Sequence, residues 1–389
     1  MATLEDTRAI LADLVAFPTV SSDSNLEMIV HMAALLGDLG ARVDLFHDQG
    51  GHKANLFATL GPQDAPGGIV LSGHTDVVPV TDQDWSSDPF RLHEADGRLY
   101  GRGTCDMKGF IAAALAMAPD FAALDLARPL HFAFTYDEET GCLGGQALVA
   151  ELAARGIRPD IAIIGEPTGM QLVEAHKGCC EYTVEFTGLE GHGSDPGAGV
   201  NAAEYAVRYV AHLLALRETL RARAPAGSPF RPPYTTINLG RIAGGHAHNV
   251  IVGKAEVAWE MRPVHPDDID FVKSRMEALC QGTLLPEMRA VQPTADIVTH
   301  VIGEVTGLKP MRDSAARALV AELTGQHHAK SVPFSTEAGL FQSIGCSAVV
   351  CGPGAIAQAH KPDEYVTFDQ LGRCLDMLEG LAPQLTRPA

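Results

Sequence analysis

Apolar residues recur at helical spacing from residue 4 to 40, interrupted at FPTVSSDS, where a proline precedes the N-cap candidates Ser22 and Ser24. Beyond that stretch the period changes. ANLFATL, GGIVLSGHTD, LHFAFTYDEE and DIAIIGEP are short apolar runs that each end in polar residues, which predicts buried strands. DMKGFIAAALAMAPDFAAL and GCLGGQALVAELAARG lie between them with helical patterns, and RLYGRG reads as one short strand more. Strands alternating with helices need crossover connections, so the expected fold is α/β, a largely parallel sheet with helices on both faces. Ligands of such sheets bind beyond the carboxyl ends of the strands.

The pattern changes near residue 177. CCEYTVEFTGL alternates as a half-exposed strand, NAAEYAVRYVAHLLALRETLRAR is an amphipathic helix, TTINLGRIAGG and NVIVGKAEVAWEMRPV alternate again, and PDDIDFVKSRMEALCQG closes the set as a helix. A small α+β domain inserted into the larger one is the economical reading. The boundaries expected are 1–177 and 299–389 for the α/β domain and 178–298 for the insert, with the α/β pattern resuming at about 299 and ending in a long helix.

Composition narrows the partners. The 29 Lys and Arg against 48 Asp and Glu give a net charge of −19, which repels phosphate backbones and anionic lipid surfaces. Neither nucleic acid nor membrane is an expected partner. At 389 residues with 46% hydrophobic content, the chain has material for two cores. The first residues are acidic and amphipathic rather than a basic start followed by an apolar block, and the longest apolar stretch, FIAAALAMA, is far below the roughly 20 residues of a membrane span. Eight cysteines without a Cys-x-x-Cys pair read as reduced thiols, and the expected location is the cytoplasm.

His74, Asp76, Glu138, Glu139 and Glu166 all fall at the carboxyl ends of predicted strands, and Asp106 follows RLYGRG. Taken singly each has an ordinary structural role, as a hydrogen-bonded core histidine, a turn cap or a solvated carboxylate. Brought to one rim they repel one another unless a cation sits among them. Oxygen and imidazole donors without thiolates suit Zn²⁺, and Co²⁺ and Mn²⁺ fit the same softness. Residues two apart in a strand share a side, so Asp76 is expected to accept the ring N–H of His74 and orient it. Neighbours point opposite ways, so one of Glu138 and Glu139 ligates and the other is free to move protons. Cys105, beside Asp106, reads as a small buried thiol rather than a ligand, and the glycines of GRGTCDMKG lack the ending of a phosphate loop.

The segments SGHTDVVP, YGRGTCDMKGF, DEET, GEPT and AHKPDEY resemble, in order and spacing, the signatures of the dinuclear-zinc amidohydrolases and exopeptidases over roughly residues 50 to 370. The resemblance implies a zinc exopeptidase-like fold with a lid and dimerisation insert, and hydrolysis of the amide bond of a small N-acyl amino acid. It implies that His74, Asp106 and Glu166 hold one Zn²⁺ while Asp106, Glu139 and His360 hold a second. Glu138 is then the general base acting on the water between the metals, and Asp76 the partner of His74. GHGSDPGAGVNA resembles the family's lid segment, with His192 where a histidine reaches the scissile carbonyl and Gly193 where relatives often carry serine. Asn249 and Arg262 match substrate-holding positions, Arg262 having a structural ion pair as its alternative role. A substrate with a carboxylate and a side-chain ammonium needs a cation and an anion, for which Arg262 and Glu337 are the candidates. A homodimer through the insert is expected, because exposed edge strands invite self-pairing. A succinylated dicarboxylate as substrate calls for additional cations and stays open. A metal-binding scaffold without turnover is the competing class, disfavoured by the free Glu138, and a dipeptidase or carboxypeptidase using the same site is the third.

Overall fold

The computed structural model describes residues 2–387; Met1, Pro388 and Ala389, at the ends of the expected first domain, lie outside the described residues. The chain forms two compact units. The first takes the chain up to Ala175, Leu308–Val332 and the part from Thr336 onward, and the second takes His176–Gly307 with Pro333–Ser335.

An eight-stranded sheet runs through the first unit in the order Arg42–His47, Ala54–Leu60, Leu130–Thr135, Ile69–His74, Ile161–Pro167, Ser347–Gly352, Val173–His176 and Lys330–Val332. The four strands from Leu130–Thr135 to Ser347–Gly352 run parallel, whereas Ala54–Leu60 is antiparallel to both of its neighbours. All four parallel strands are buried along their whole length. Helices cover both faces, which is why these segments read as apolar runs rather than alternations. Phe110, Ile111 and Phe121 of the helix Lys108–Ala122 join Leu71, Phe132 and Ile163 of the strands in one core, each such side chain contributing about 1.5–3 kcal/mol by burial. Gly165 makes the approach possible: a Cβ there would fall 1.9 Å from the Phe110 ring. That contact seats the strand end carrying Glu166 against the helix that follows Asp106. Lys108 is buried at the start of this helix, its Nζ donating to the carbonyls of Leu14 at 3.0 Å and Phe17 at 2.8 Å, the last turn of the helix Leu4–Ala16. Burial pulls its pKa down to about 7.

The second unit is a four-stranded antiparallel sheet in the order Thr236–Gly244, Lys254–Arg262, Cys179–Thr187 and Asp296–Val305. Its core gathers Val184, Phe186, Val257 and Trp259 with Tyr209 and Leu213 of the helix Ala202–Ala222 and Val272 of the helix Asp267–Leu279. One face stays wet, so Lys254–Arg262 alternates buried and half-exposed positions. Residues 299–305 do not begin the return to the α/β pattern. They continue a ten-residue strand, Asp296–Val305, that pairs with Cys179–Thr187 from the far end of the insert, and only a pairing so remote in sequence gives those residues a place. The last helix is also shorter than its pattern, Phe368–Glu379 with a separate turn at Ala382–Leu385. Among the described residues no helix is long and apolar enough to cross a membrane.

Candidate metal centre

Each of the four parallel strands ends at the same rim and delivers a polar group to it. Ile69–His74 ends in His74, Leu130–Thr135 runs into Asp137, Glu138 and Glu139, Ile161–Pro167 carries Glu166, and Ser347–Gly352 leads into the loop with His360. Asp106 comes from the turn before the helix Lys108–Ala122. His74, Asp106 and Glu166 are buried, with 1%, 6% and 4% of their surface exposed, so solvent does little to screen them.

Asp106 faces an imidazole with each carboxylate oxygen: Oδ1 lies 3.1 Å from His74 Nε2 and Oδ2 lies 3.3 Å from His360 Nε2. Glu166 Oε1 is 3.8 Å from the same His74 nitrogen, and Glu139 Oε1 is 3.0 Å from the His360 nitrogen. Asp106 thus stands between the two imidazoles, with Glu166 on the His74 side and Glu139 on the His360 side, and His74, Asp106 and Glu139 offer donor atoms within 4.8 Å of one another. Glu138 also comes within 4.8 Å of His74 and Glu166. Its Oε1 meets the Cys142 thiol at 3.5 Å. Burial first, and then the nearby Asp106 carboxylate, push Glu139 and Glu166 above the usual carboxylate range; burial raises Glu138 too, against the pull of His74.

No lysine or arginine among the described residues forms an ion pair with Glu138, Glu139 or Glu166. The groups that face these carboxylates are the two imidazoles, and both are shifted toward holding a proton. Burial opposes a cationic His74, but Asp106 and Asp76 outweigh it and raise its pKa well above normal, and hydrogen bonds accepted from the His360 ring by Asp106 and Glu139 raise His360 to about 10. Asp106 moves the other way: burial disfavours its charge, yet the two imidazoles hold it well below the usual carboxylate value. A divalent cation held by His74, Asp106 and Glu166 or by Asp106, Glu139 and His360 would supply a positive charge for the facing oxygens to share. The donor set of imidazole nitrogens and carboxylate oxygens fits such an ion.

Asp76 orients its surroundings by a different route from the one its spacing predicts. The strand ends at His74, so the chain turns and the side-chain relation of residues two apart lapses. His74 Nδ1 donates to the Asp76 backbone carbonyl at 2.9 Å, while the Asp76 carboxylate stands 3.6 Å away. A carbonyl only accepts, so Nδ1 carries the ring proton of neutral His74 and Nε2 turns its lone pair to the rim. The Asp76 carboxylate instead accepts from Ser21 Oγ at 2.7 Å and from the backbone N–H groups of Glu138 and Glu139 at 3.1 and 3.3 Å.

Sequence reading also missed Glu364. Buried, it accepts from Arg102 Nη1 at 2.7 Å and from the N–H groups of Gly103, Cys105 and Asp106 at 2.8–3.0 Å, and so shapes the turn that presents Asp106. It stands in AHKPDEY, four residues past His360, and the carboxylate beside a turn was the available signal. Cys105 donates its thiol to the Ala355 carbonyl at 3.4 Å, and burial pushes its pKa up, keeping it neutral.

The remaining candidates have other settings. In the second unit, His192 is exposed, and its Nδ1 accepts from Ser194 Oγ at 2.7 Å and from Ser194 N–H at 3.2 Å, which leaves the neutral ring's proton on Nε2. Pairing of Gly191–His192 with Val250–Ile251 brings it beside Asn249, whose carbonyl accepts from Gly193 N–H at 2.7 Å. A Cβ on Gly193 would lie 3.0 Å from that backbone, tight for any larger residue. Arg262 is engaged by Glu260 on its own strand, at 2.9 Å through Nε and 2.7 Å through Nη2. Glu337, in the first unit, is 1% exposed; burial raises its pKa to about 7 against the pull of the Thr135 hydroxyl.

A family model described as Peptidase family M20/M25/M40 matches residues 70–384. An acetylornithine deacetylase of Edwardsiella ictaluri is 38% identical over 371 residues, 93% of each chain. One from Proteus mirabilis is 38% identical over 362 residues, 91% of this chain and 90% of the other. Among solved structures, a metallo-carboxypeptidase of Sulfolobus solfataricus superposes with a TM-score of 0.73 at 17% identity, covering 98% of this chain and 99% of that one. A Bacillus subtilis protein described as a dinuclear metal-binding peptidase gives 0.64 at 14% identity over 98% of both chains. At those identities the structures attest the fold, the expected α/β sheet with its helices. The sequence match over nearly the whole length does more, and the chain belongs to peptidase family M20/M25/M40.

Proposed function

We propose that the protein is a metal-dependent amidohydrolase that converts N2-acetyl-L-ornithine to L-ornithine and acetate. The observation that carries the chemistry is the division of Asp106 between His74 and His360, with Glu138 left outside hydrogen bonding to either imidazole. The choice of acyl amino acid rests on the acetylornithine deacetylases at 38% identity.

In this reading His74, Asp106 and Glu166 hold one divalent cation and Asp106, Glu139 and His360 the other. The cations, zinc or else Co²⁺ or Mn²⁺, supply Lewis acidity toward a carbonyl and toward water. Glu138 takes the proton of the attacking water and returns it to the leaving amine, a task for which a raised pKa is suited. Asp76 keeps His74 and the Glu138–Glu139 backbone in register. His192 donates its Nε2–H to the carbonyl oxygen as that oxygen gains charge. Asn249 and Arg262 hold the substrate carboxylate, Arg262 exchanging Glu260 for it. The buried carboxylate of Glu337 is the anion assigned to the substrate ammonium. The protein is cytoplasmic, in keeping with eight unbridged cysteines. It works as a homodimer through the insert, where the edge strand Asp296–Val305 leaves Val298, Val301 and Ile302 exposed.

A panel of N-acetylornithine, N-acetylmethionine, N-succinyl-diaminopimelate and dipeptides, run with chelated and metal-loaded protein, tests the reading. The expected result is metal-dependent release of ornithine well ahead of the other products. Folded, metal-loaded protein that is inactive on every compound favours a scaffold, and preference for a succinyl substrate or a dipeptide moves the assignment within the family. Glu337→Gln is expected to narrow the preference for acetylornithine over acetylmethionine; an unchanged preference removes Glu337 from the pocket.

A further inference from the structure

Glu138 and Glu139 are neighbours, so which of them meets His360 depends on the twist of one short turn. That turn starts at Asp137, held at a φ of +53°, in the left-handed region where non-glycine residues are uncommon. A closed ring of contacts fixes it. Asp137 Oδ1 accepts from Lys53 Nζ at 2.5 Å, and the same ammonium donates to the Ser21 carbonyl at 2.5 Å. Ser21 Oγ donates to Asp76 Oδ2 at 2.7 Å, and the Asp76 carboxylate accepts from Glu138 N–H and Glu139 N–H. Starting from Lys53, the ring therefore passes through the turn and returns through Ser21.

Each corner is itself anchored. Ser21 N–H donates to the Val77 carbonyl at 3.1 Å, one residue past Asp76, and Lys53 N–H donates to Asp48 Oδ1 at 2.9 Å. The side chains of Lys53 and Asp137 are only 15% and 11% exposed, so the pair is shielded from the screening that makes surface ion pairs weak. The ammonium is spent on Asp137 and a carbonyl, not on the carboxylates of the rim.

We propose that Lys53 is a positioning residue: through Asp137 and Ser21 it sets the turn so that Glu139 faces His360 while Glu138 is kept free for proton transfer. This rests on the reading of Glu139 as a ligand and Glu138 as the base. Lys53 touches neither cation nor substrate. Its loss is felt through the geometry of the turn, as with other groups that orient metal ligands.

The test uses the full chain with Lys53→Met, Lys53→Arg and Asp137→Asn. Zinc binding to metal-stripped protein is followed by calorimetry, kcat and KM are measured on N-acetylornithine, and folding is followed by circular dichroism. Lys53→Met is expected to weaken the weaker zinc site and to lower kcat, each by about tenfold or more, with KM little changed; Lys53→Arg recovers most of both. Adding Asp137→Asn to Lys53→Met brings little further loss, because the two share one contact. Folded Lys53→Met that binds both zinc equivalents and turns over like the wild type overturns the proposal. So does a loss that follows only the unfolded fraction. If Lys53→Met does not fold, Asp137→Asn carries the same criteria. Calorimetry reads the turn without any substrate, so a wild type that binds zinc but does not hydrolyse acetylornithine defeats the functional reading and leaves the role of Lys53 to be decided by the zinc data.

Discussion

Both units set carboxylates against one another, and they relieve the repulsion differently. In the sheet of the second unit Glu181 and Glu260 are directly opposite on neighbouring strands, with Cys179 close enough to complete a group of three potential donors. There Arg262 reaches Glu260 at 2.7 Å and all the groups are half-exposed, so a permanent cation and water share the work. At the rim of the first unit Glu138, Glu139 and Glu166 have no lysine or arginine paired with them among the described residues; Glu166 is buried while Glu138 and Glu139 are half-exposed, and the groups that face them are the imidazoles of His74 and His360. Chemically similar donor sets thus have different meanings. One cluster carries its own guanidinium, whereas the other faces only imidazoles, the donor chemistry that suits a divalent cation.

The imidazoles make the same point. His74 and His360 have their pKa raised by facing carboxylates, while burial pulls His131 down to about 4. His131 Nδ1 pairs with the Thr59 hydroxyl at 2.9 Å and Nε2 with the Gly67 carbonyl at 3.2 Å, which satisfies a neutral ring and offers nothing to a cation.

The largest expected effect breaks the rim without emptying it. Glu138→Gln is expected to lower kcat by about 10²–10⁴-fold while metal content by elemental analysis stays at the wild-type level; loss of metal with activity would make Glu138 a ligand instead. Next comes the neutral core imidazole. Its folded pKa of about 4 lies below the unfolded 6.5, so the unfolded chain binds more protons between those values and stability falls as pH drops through that window. The contribution is complete above the unfolded value and amounts to at most about 3 kcal/mol. Denaturant titrations of His131→Gln at pH 7 and pH 4.5 are expected to show a smaller pH dependence than the wild type; an identical dependence would place the acid sensitivity elsewhere. Arg262→Met sharpens the contrast from the other unit. If its guanidinium leaves Glu260 for a substrate carboxylate, KM rises about tenfold or more, in line with the worth of a charged hydrogen bond, whereas an unchanged KM leaves it a structural ion pair. The smallest effect is Glu181→Gln, which relieves the cross-strand repulsion and is expected to stabilise the protein by about 0.2–1 kcal/mol with no change in zinc stoichiometry.

What was legible in the sequence follows from locality. A parallel strand buried on both faces writes itself as an apolar run, and the polar residue at its end marks the rim, which is how His74 and Glu166 could be placed. The alternation rule failed at Asp76 because it holds only inside a strand, and the strand stops two residues earlier. Ser21, Lys53, Arg102 and Glu364 escaped notice for another reason. Their partners are tens to hundreds of residues away, as in Lys53 with Asp137 or Arg102 with Glu364, and no local period records such a contact. The strand Asp296–Val305 was mistaken for the start of a returning domain on the same ground.

The claim on which the rest depends is that two divalent cations replace the protons shared at the rim. Calorimetric titration of zinc into metal-stripped protein, in buffers of different ionisation enthalpy, measures ions bound and protons released together. The account predicts two zinc equivalents per chain, net proton release, and loss of both sites in Asp106→Ala, because each donor group uses one of its oxygens. Binding of no zinc, or binding of two equivalents that releases no protons and survives Asp106→Ala, would contradict it.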